Sequence, residues 1–278
     1  MPLPPTTLSP TEIQRFHDDG YVVVRSAFSP DDARAMQDEW WAELAEVHGI
    51  ARDDRSTWRH ILGDLKRAKR SPLEPTIATA RVRGVIDDLL GPGNWRTPRD
   101  WGRALVTFPQ AGDWDVPAGF WHWDSPADWH SDAMKALFVV SFVGAVAPRS
   151  GGTLILSGSP RLLQRHEDGL TPAQRQADAR TQRRLFHSSH PWLQALTGAA
   201  PSPPDRVTAF MDADTDLDGI PARVVELTGN PGDMVFCHPT IVHSVASNCG
   251  SEPRFMRIKQ QVLTHEGWQL MSRAMHPR

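Results

Sequence analysis

The chain is poor in cysteine: of 278 residues only Cys237 and Cys249 carry a thiol, too few for a disulfide framework. It shows no positively charged leader followed by an apolar run, so a reduced, cytoplasmic protein is the expectation. Nor does any stretch approach the ~18 to 20 consecutive apolar residues of a membrane span. The longest candidate, "LFVVSFVGAVA", reads as a buried strand. Charge of one sign is also lacking. A net charge of −3 gives no global pull toward nucleic acid or anionic membrane, which leaves small molecules as the expected partners. Lysine occurs only at Lys66, Lys69, Lys135 and Lys259, the other basic residues being arginine, and we read that bias as one of coding without function. There is no internal repeat and no low-complexity tract beyond the Pro/Thr-rich first eight residues.

What is present is a well-punctuated series of elements. With 40% hydrophobic residues the chain can bury a sizeable core, and no break in composition divides residues 1–278 into two domains. In "SPTEIQRFHDDG", Ser9 can cap, Pro10 suits the first helical position, Glu12 completes a capping box and Gly20 ends the helix. "YVVVRSAF" follows as a strand. The same start signal recurs at Ser29 and Pro30, with Met36, Trp40, Leu44 and Val47 at helical spacing, and "PTIATARVRGVIDDLLG" gives another helix stopped at Gly91. From about residue 103 the pattern changes to short β-type runs bounded by Gly, Pro, Asn or Asp. A helical flank over residues 1–100 and a β core over 103–265 imply a mainly β protein with flanking helices, naturally a sandwich or jelly roll. Residues 161–196 break the β pattern and read as a helical insertion, with "TPAQRQADARTQRRLF" charged and helix-forming.

One strand-like run, "FWHWDS", carries chemistry. Alternation puts His122 and Asp124 on one face and Trp121 and Trp123 on the other. Two such groups can offer two cis ligands to an ion, and a histidine from elsewhere would complete the 2-His-1-carboxylate triad, which leaves positions open on Fe(II). His17, His48, His60 and His166 read as solvated or helix-end groups, and His187 and His190 form only a weak H-x-x-H inside the insertion. His243, amid apolar neighbours in "TIVHSVAS", is the informative candidate. With Asn248 to Pro253 as a hairpin loop, Met256 lies opposite Val245 and Ile258 opposite His243. Arg254 then shares the face of His243, and Arg257 takes the other. Four residues separate the two groups by ~13 Å along the sheet, a span that a short dicarboxylate can bridge from a metal to a guanidinium fork.

Taken together, "DDGYVVVRSAFSPDDARAM", "WHWD", "PRSGGTLILSGSPR" and "GDMVFCHPTIVHSVASN…PR", with an arginine eleven residues after the distal histidine, resemble the phytanoyl-CoA dioxygenase (PhyH-like) family of Fe(II)/2-oxoglutarate oxygenases over nearly the whole chain. The resemblance implies a double-stranded β-helix of cupin-like type, iron held by His122, Asp124 and His243, and Arg254 gripping the C5 carboxylate of 2-oxoglutarate. It also implies Thr153 near the cosubstrate. The implied reaction is a dioxygenase one: with O2, 2-oxoglutarate is decarboxylated to succinate and CO2 while a C–H bond of a small organic molecule is oxidised. Asp124 at the carboxylate position favours hydroxylation or another oxidation over halogenation. The chain departs from the family at Trp123, where glutamine is common, and at Val245, where a small polar residue is common.

Two other readings compete: a cupin-type metalloenzyme that does not use 2-oxoglutarate, and a non-catalytic binding protein built on the barrel. The parity of Arg254 weighs against the first and the intact triad against the second. Trp121 and Trp123 read as core aromatics facing away from the metal. The 161–196 insertion reads as either a lid over the barrel mouth or a surface excursion.

Overall fold

The computed structural model describes residues 7–275 except 62, 127–128 and 130–133; most of the Pro/Thr-rich start therefore lies outside the described residues. The helical flank begins with α1 (Pro10–Asp19), whose Ser9/Glu12 capping box and left-handed Gly20 stop are both formed. Strand β1 (Tyr21–Val24) leads to α2 (Pro30–His48), capped by Ser29. Three 3-10 turns at Arg55–Thr57, Ala68–Arg70 and Glu74–Ile77 precede α3 (Ala80–Leu90). The helix expected from Pro75 thus starts five residues later: Thr79 has the extended backbone and side-chain bond of an N-cap, which closes α3 to the residues before it.

Strands β2 (Arg103–Thr107), β3 (Ala136–Phe142) and β4 (Leu154–Ser157) follow. The insertion then supplies α4 (Ser159–Asp168), α5 (Pro172–Arg175), α6 (Ala179–His187), α7 (Pro191–Leu196) and α8 (Arg206–Met211). It therefore starts two residues before the expected boundary and runs fifteen past it. The chain ends with β5 (Thr215–Leu217), β6 (Ile220–Glu226), β7 (Met234–Cys237), β8 (His243–Ser244), β9 (Arg254–Leu263) and α9 (His265–Met275). Neither β5 nor α9 is legible as an element in the sequence pattern above.

Among the described residues the strands form two antiparallel sheets, ordered β1-β7-β3-β9-β2 and β5-β6-β4-β8. Side-chain alternation sorts the core into layers. Leu137 and Val139 of β3 pack with Trp40, Leu44 and Val85 of the helical flank. Phe138, Val140 and Phe142 of the same strand pack with Ile155 and Met256 between the sheets. β3 is buried on both faces, which is why its sequence is an unbroken apolar run. On the far side, Leu154 and Leu156 of β4 meet Phe186, Leu193 and Phe210 of the insertion. The insertion packs as a layer on β4 and shares one apolar core with it.

The expected hairpin does not form. β8 pairs with β4, whereas β9 pairs with β2 and β3 in the other sheet. The chain crosses between sheets at residues 245–253, and Asn248 anchors the crossing by donating to the Thr107 and Glu252 carbonyls. The register of Ile258 opposite His243 is therefore wrong, and Ile258 lies opposite Arg103 and Val140.

Parity along β9 nonetheless separates the two arginines. Met256 and Ile258 face the space between the sheets, and Arg254 shares their side by the period of two. Arg257 points into the helical flank, fully buried, where it ion-pairs with Glu74 and donates to the Ala68 carbonyl beneath the Trp40 ring. Gly102 passes so close to this strand that an added Cβ would lie 2.1 Å from the Ile258 oxygen, at φ +95°. Removing one partner of a buried pair strands the other charge, so Arg257→Ala or Glu74→Ala should cost about 3 to 5 kcal/mol in denaturant unfolding. The double Met variant should recover much of that loss, and equal midpoints for Arg257→Ala and the parent would contradict the assignment.

Candidate metal centre

The site begins as a backbone feature. His122 and His243 exchange both main-chain hydrogen bonds, at 3.0 Å and 2.8 Å, as an isolated antiparallel bridge. Residues paired in that way project their side chains from one face, and the two imidazole centroids lie 4.3 Å apart. The expected strands shrink here to this bridge and to the two residues of β8, with the other edge of His243 paired to Ile155 of β4. Alternation still holds across the short extended segment. Asp124 returns to the imidazole side, with carboxylate oxygens 3.7 Å from His122 Nε2 and 3.5 Å from His243 Nε2. Trp121 and Trp123 are buried in the core shared with the insertion.

Each imidazole is oriented by its other nitrogen. His122 Nδ1 lies 2.7 Å from the Phe120 carbonyl and His243 Nδ1 3.1 Å from the Ile241 carbonyl. Donation to a carbonyl puts the proton on Nδ1 and leaves the Nε2 lone pair directed at Asp124. Burial, reinforced by the neighbouring His122, holds the His243 imidazole well below its ordinary pKa, so it is neutral and free to donate at neutral pH. Phe138, from the opposite sheet, stacks on the His243 ring at 4.8 Å. The ligand atoms of His122, Asp124 and His243 lie within 4.8 Å of one another and can hold a metal ion. Two imidazoles and one carboxylate on a single side suit a divalent first-row metal with open positions opposite.

The surrounding loop is pinned by groups with no sequence signature. Arg206 of α8 is buried and donates to the carbonyls of Val116, Pro117, Ala195 and Leu196. It thereby ties the insertion to the segment leading into His122. Arg183 of α6 donates to the Trp123 carbonyl between the two ligands. Phe120 adopts a left-handed backbone, φ +62°, with its ring 81% exposed. Such a conformation is an outlier for a bulky residue, and here it aims the carbonyl that orients His122. Lone arginines on polar helices look like surface residues in sequence, which is why none of these was singled out.

Arg254 is buried, and its guanidinium meets only neutral groups: the Gly151 carbonyl and the Thr107 hydroxyl, both at 2.7 Å. Its Nε has no partner, and no carboxylate lies within ion-pair distance among the described residues. Burial pulls its pKa down to about 10, so it still carries a charge at neutral pH. Thr153 is buried two residues beyond Gly151, at the entry to β4. The H-x-x-H pair is not brought to the site; His190 instead caps α7 by accepting from the Trp192 amide.

Comparison with known proteins adds a fold. No protein-family model matches the sequence, and no curated protein matches it. Among solved structures, EctD from S. alaskensis with 2-oxoglutarate and 5-hydroxyectoine aligns at 19% identity and TM-score 0.52, over 91% of this chain and 76% of that one. EvdMO1 aligns at 12% identity and TM-score 0.53, over 89% of this chain and 48% of that one. The chain shares their fold.

Two results are expected. His243→Ala should lose stoichiometric metal by elemental analysis while keeping its far-ultraviolet circular dichroism, and retention of one metal per chain would remove His243 from the ligand set. Arg206→Ala leaves several buried carbonyls without a charged donor, at about 1.5 to 3 kcal/mol for a single such bond. A fall in stability of at least that size is expected, and an unchanged melting temperature would show that the insertion is not held through this residue.

Proposed function

We propose that the protein is an Fe(II)- and 2-oxoglutarate-dependent dioxygenase of the phytanoyl-CoA dioxygenase type, on a double-stranded β-helix, acting on a small organic molecule. The observation that carries the reading is the pairing of a three-ligand facial site with a buried, unneutralised arginine on the same inter-sheet side. A buried guanidinium without an anion is costly, and a dicarboxylate that also reaches the metal would supply the missing charge. EctD, which shares the fold, was solved with 2-oxoglutarate, and that supports the choice of cosubstrate.

In this reading His122, Asp124 and His243 hold iron, which when bound supplies oxidation of a C–H bond coupled to decarboxylation of 2-oxoglutarate. The chain's own contribution is positional. His122 and His243 present their Nε2 atoms toward Asp124, each ring oriented at Nδ1 by a carbonyl, those of Phe120 and Ile241. Asp124 provides the single negative charge of the site. Arg254 fixes the far carboxylate of the cosubstrate through its fork, with Thr107 and Gly151 setting the plane of the guanidinium, and Thr153 lines the cosubstrate beside it. Phe138 and Met256 form the apolar wall between the two ends, which excludes water from the reacting region.

The direct test is aerobic incubation with Fe(II) and 2-oxoglutarate, with succinate measured; no succinate above a metal-free control would sink the proposal. Arg254→Met should lose about 2 to 5 kcal/mol of 2-oxoglutarate affinity and at the same time raise the melting temperature of the cosubstrate-free protein, because a buried unpaired charge is gone. The Arg257→Met/Glu74→Met double variant should leave 2-oxoglutarate affinity within about threefold of the parent. The opposite ranking of the two arginines would overturn the assignment.

A further inference from the structure

Three of the four lysines in the chain gather at one place. A cavity of about 460 Å³ opens beside Asp124 and runs outward between Arg103, Lys69 and Lys259, with Trp268 and Met271 of α9 on its apolar side. A second cavity, of about 600 Å³, shares Lys69 and adds Lys66, Arg70 and Arg99. The acids nearby are largely spoken for. Asp100 lies 3.4 Å from Lys259, Asp64 lies 3.1 Å from Lys66, and Glu74 is paired with Arg257. Arg103 and Lys69 make no side-chain hydrogen bond and no contact ion pair among the described residues, although Arg103 acts on Asp64 and Lys69 on Asp100 from a longer distance. The cavity beside the metal centre is thus lined by three cations, Lys69, Arg103 and Lys259, against the carboxylates of Asp100 and Asp124.

Strand parity places Arg103 on the inner face of β2, at the open end of the site. β2 runs antiparallel to β9 with Thr107 opposite Arg254 and Arg103 opposite Ile258. Thr107 touches the Arg254 guanidinium, so the face carrying Thr107 is the inner one, and Arg103, four residues away, shares it at ~13 Å. One inner surface thus carries a buried cation at its closed end and an exposed, unpaired cation at its mouth. The cosubstrate accounts for the first only.

We propose that the substrate is a compact organic anion, a carboxylate or phosphate ester with an apolar body, whose charged head is held at Arg103 and Lys69 while its body lies along Trp268 and Met271 toward Asp124. This rests on the dioxygenase reading for what happens at the metal, not for the binding itself. An unpaired guanidinium and ammonium flanking an open groove favour an anion by direct contact and raise its local concentration through the field. The aromatic and thioether wall suits an apolar body.

The test uses the full chain loaded with Fe(II) and saturating 2-oxoglutarate without oxygen, so that Arg254 is already occupied. Phenylacetate, phenyl phosphate, benzyl alcohol and benzylamine are titrated calorimetrically. Both or either of the anions should bind at least tenfold more tightly than the alcohol or the amine, with affinity falling as salt is raised, and the better of the two identifies the head group. Arg103→Glu and Lys69→Glu should each weaken that anion at least tenfold; Arg103→Gln, which cannot repel, should show an intermediate loss. Equal affinity for benzyl alcohol, no binding of either anion, or anion affinity unchanged in all three variants would overturn the proposal. The visible charge-transfer absorption of iron with 2-oxoglutarate is recorded in the same samples: its absence would count against the dioxygenase reading, while the calorimetry still decides the groove.

Discussion

The site depends on one reciprocal pair of backbone hydrogen bonds, between His122 and His243. Two segments more than a hundred residues apart are joined there residue to residue, and that join alone puts two imidazoles on one face at a fixed separation. Asp124 follows from it by alternation. Everything near the pair protects it: Ile155 closes the other edge of His243, Ser244 donates its hydroxyl to the Gly119 carbonyl, and Trp121 donates its indole N–H to the Pro117 carbonyl. A bridge of this length has little stability of its own. It is maintained because the layers on both sides leave the backbone groups no other partners.

Those layers divide the work. The helical flank covers the outer face of the five-stranded sheet, and the insertion covers the outer face of the four-stranded one. The inner faces are then free to carry polar groups at one end and apolar ones between them. Arg183 and Arg206 make the insertion continuous with the metal-bearing segment, one reaching the carbonyl between the ligands and the other the carbonyls before them. A displacement of α6 or α8 would therefore be felt at His122 and Asp124 through two sets of charged hydrogen bonds. Control of the ligand segment by the insertion requires no contact with substrate.

Much of this was legible in the sequence, for identifiable reasons. Capping boxes and αL glycines work within a few residues, so α1 and α2 appear where Ser9, Ser29, Gly20 and Gly49 put them. The H-x-D spacing is equally local, and the apolar setting of His243 marked it among twelve histidines. The hairpin register failed because whether a chain returns in the same sheet or crosses to another is decided by which edges are already occupied, and no local signal records that. The expected parity nonetheless holds, with Arg254 and Arg257 on opposite sides of β9, since parity along β9 is a property of that strand alone. The lysines carried no pattern in sequence because Lys69 and Lys259 come to line one cavity only after β9 is laid beside β2.

The buried arginines show why residue type and burial do not identify a role by themselves. Arg206, Arg254 and Arg257 are all nearly or fully inaccessible, and burial lowers the pKa of each. Arg257 has a carboxylate, and its removal would leave an acid stranded; that is the signature of a structural pair. Arg206 has no carboxylate in contact among the described residues but spends its donors on four carbonyls and the Ser202 hydroxyl, which disperses the charge over fixed dipoles at the place where two layers meet. Arg254 has one carbonyl and one hydroxyl, with a donor to spare. Arg254 thus keeps a buried charge and a spare donor that no carboxylate neutralises among the described residues, and the proposed dicarboxylate cosubstrate would supply the missing charge.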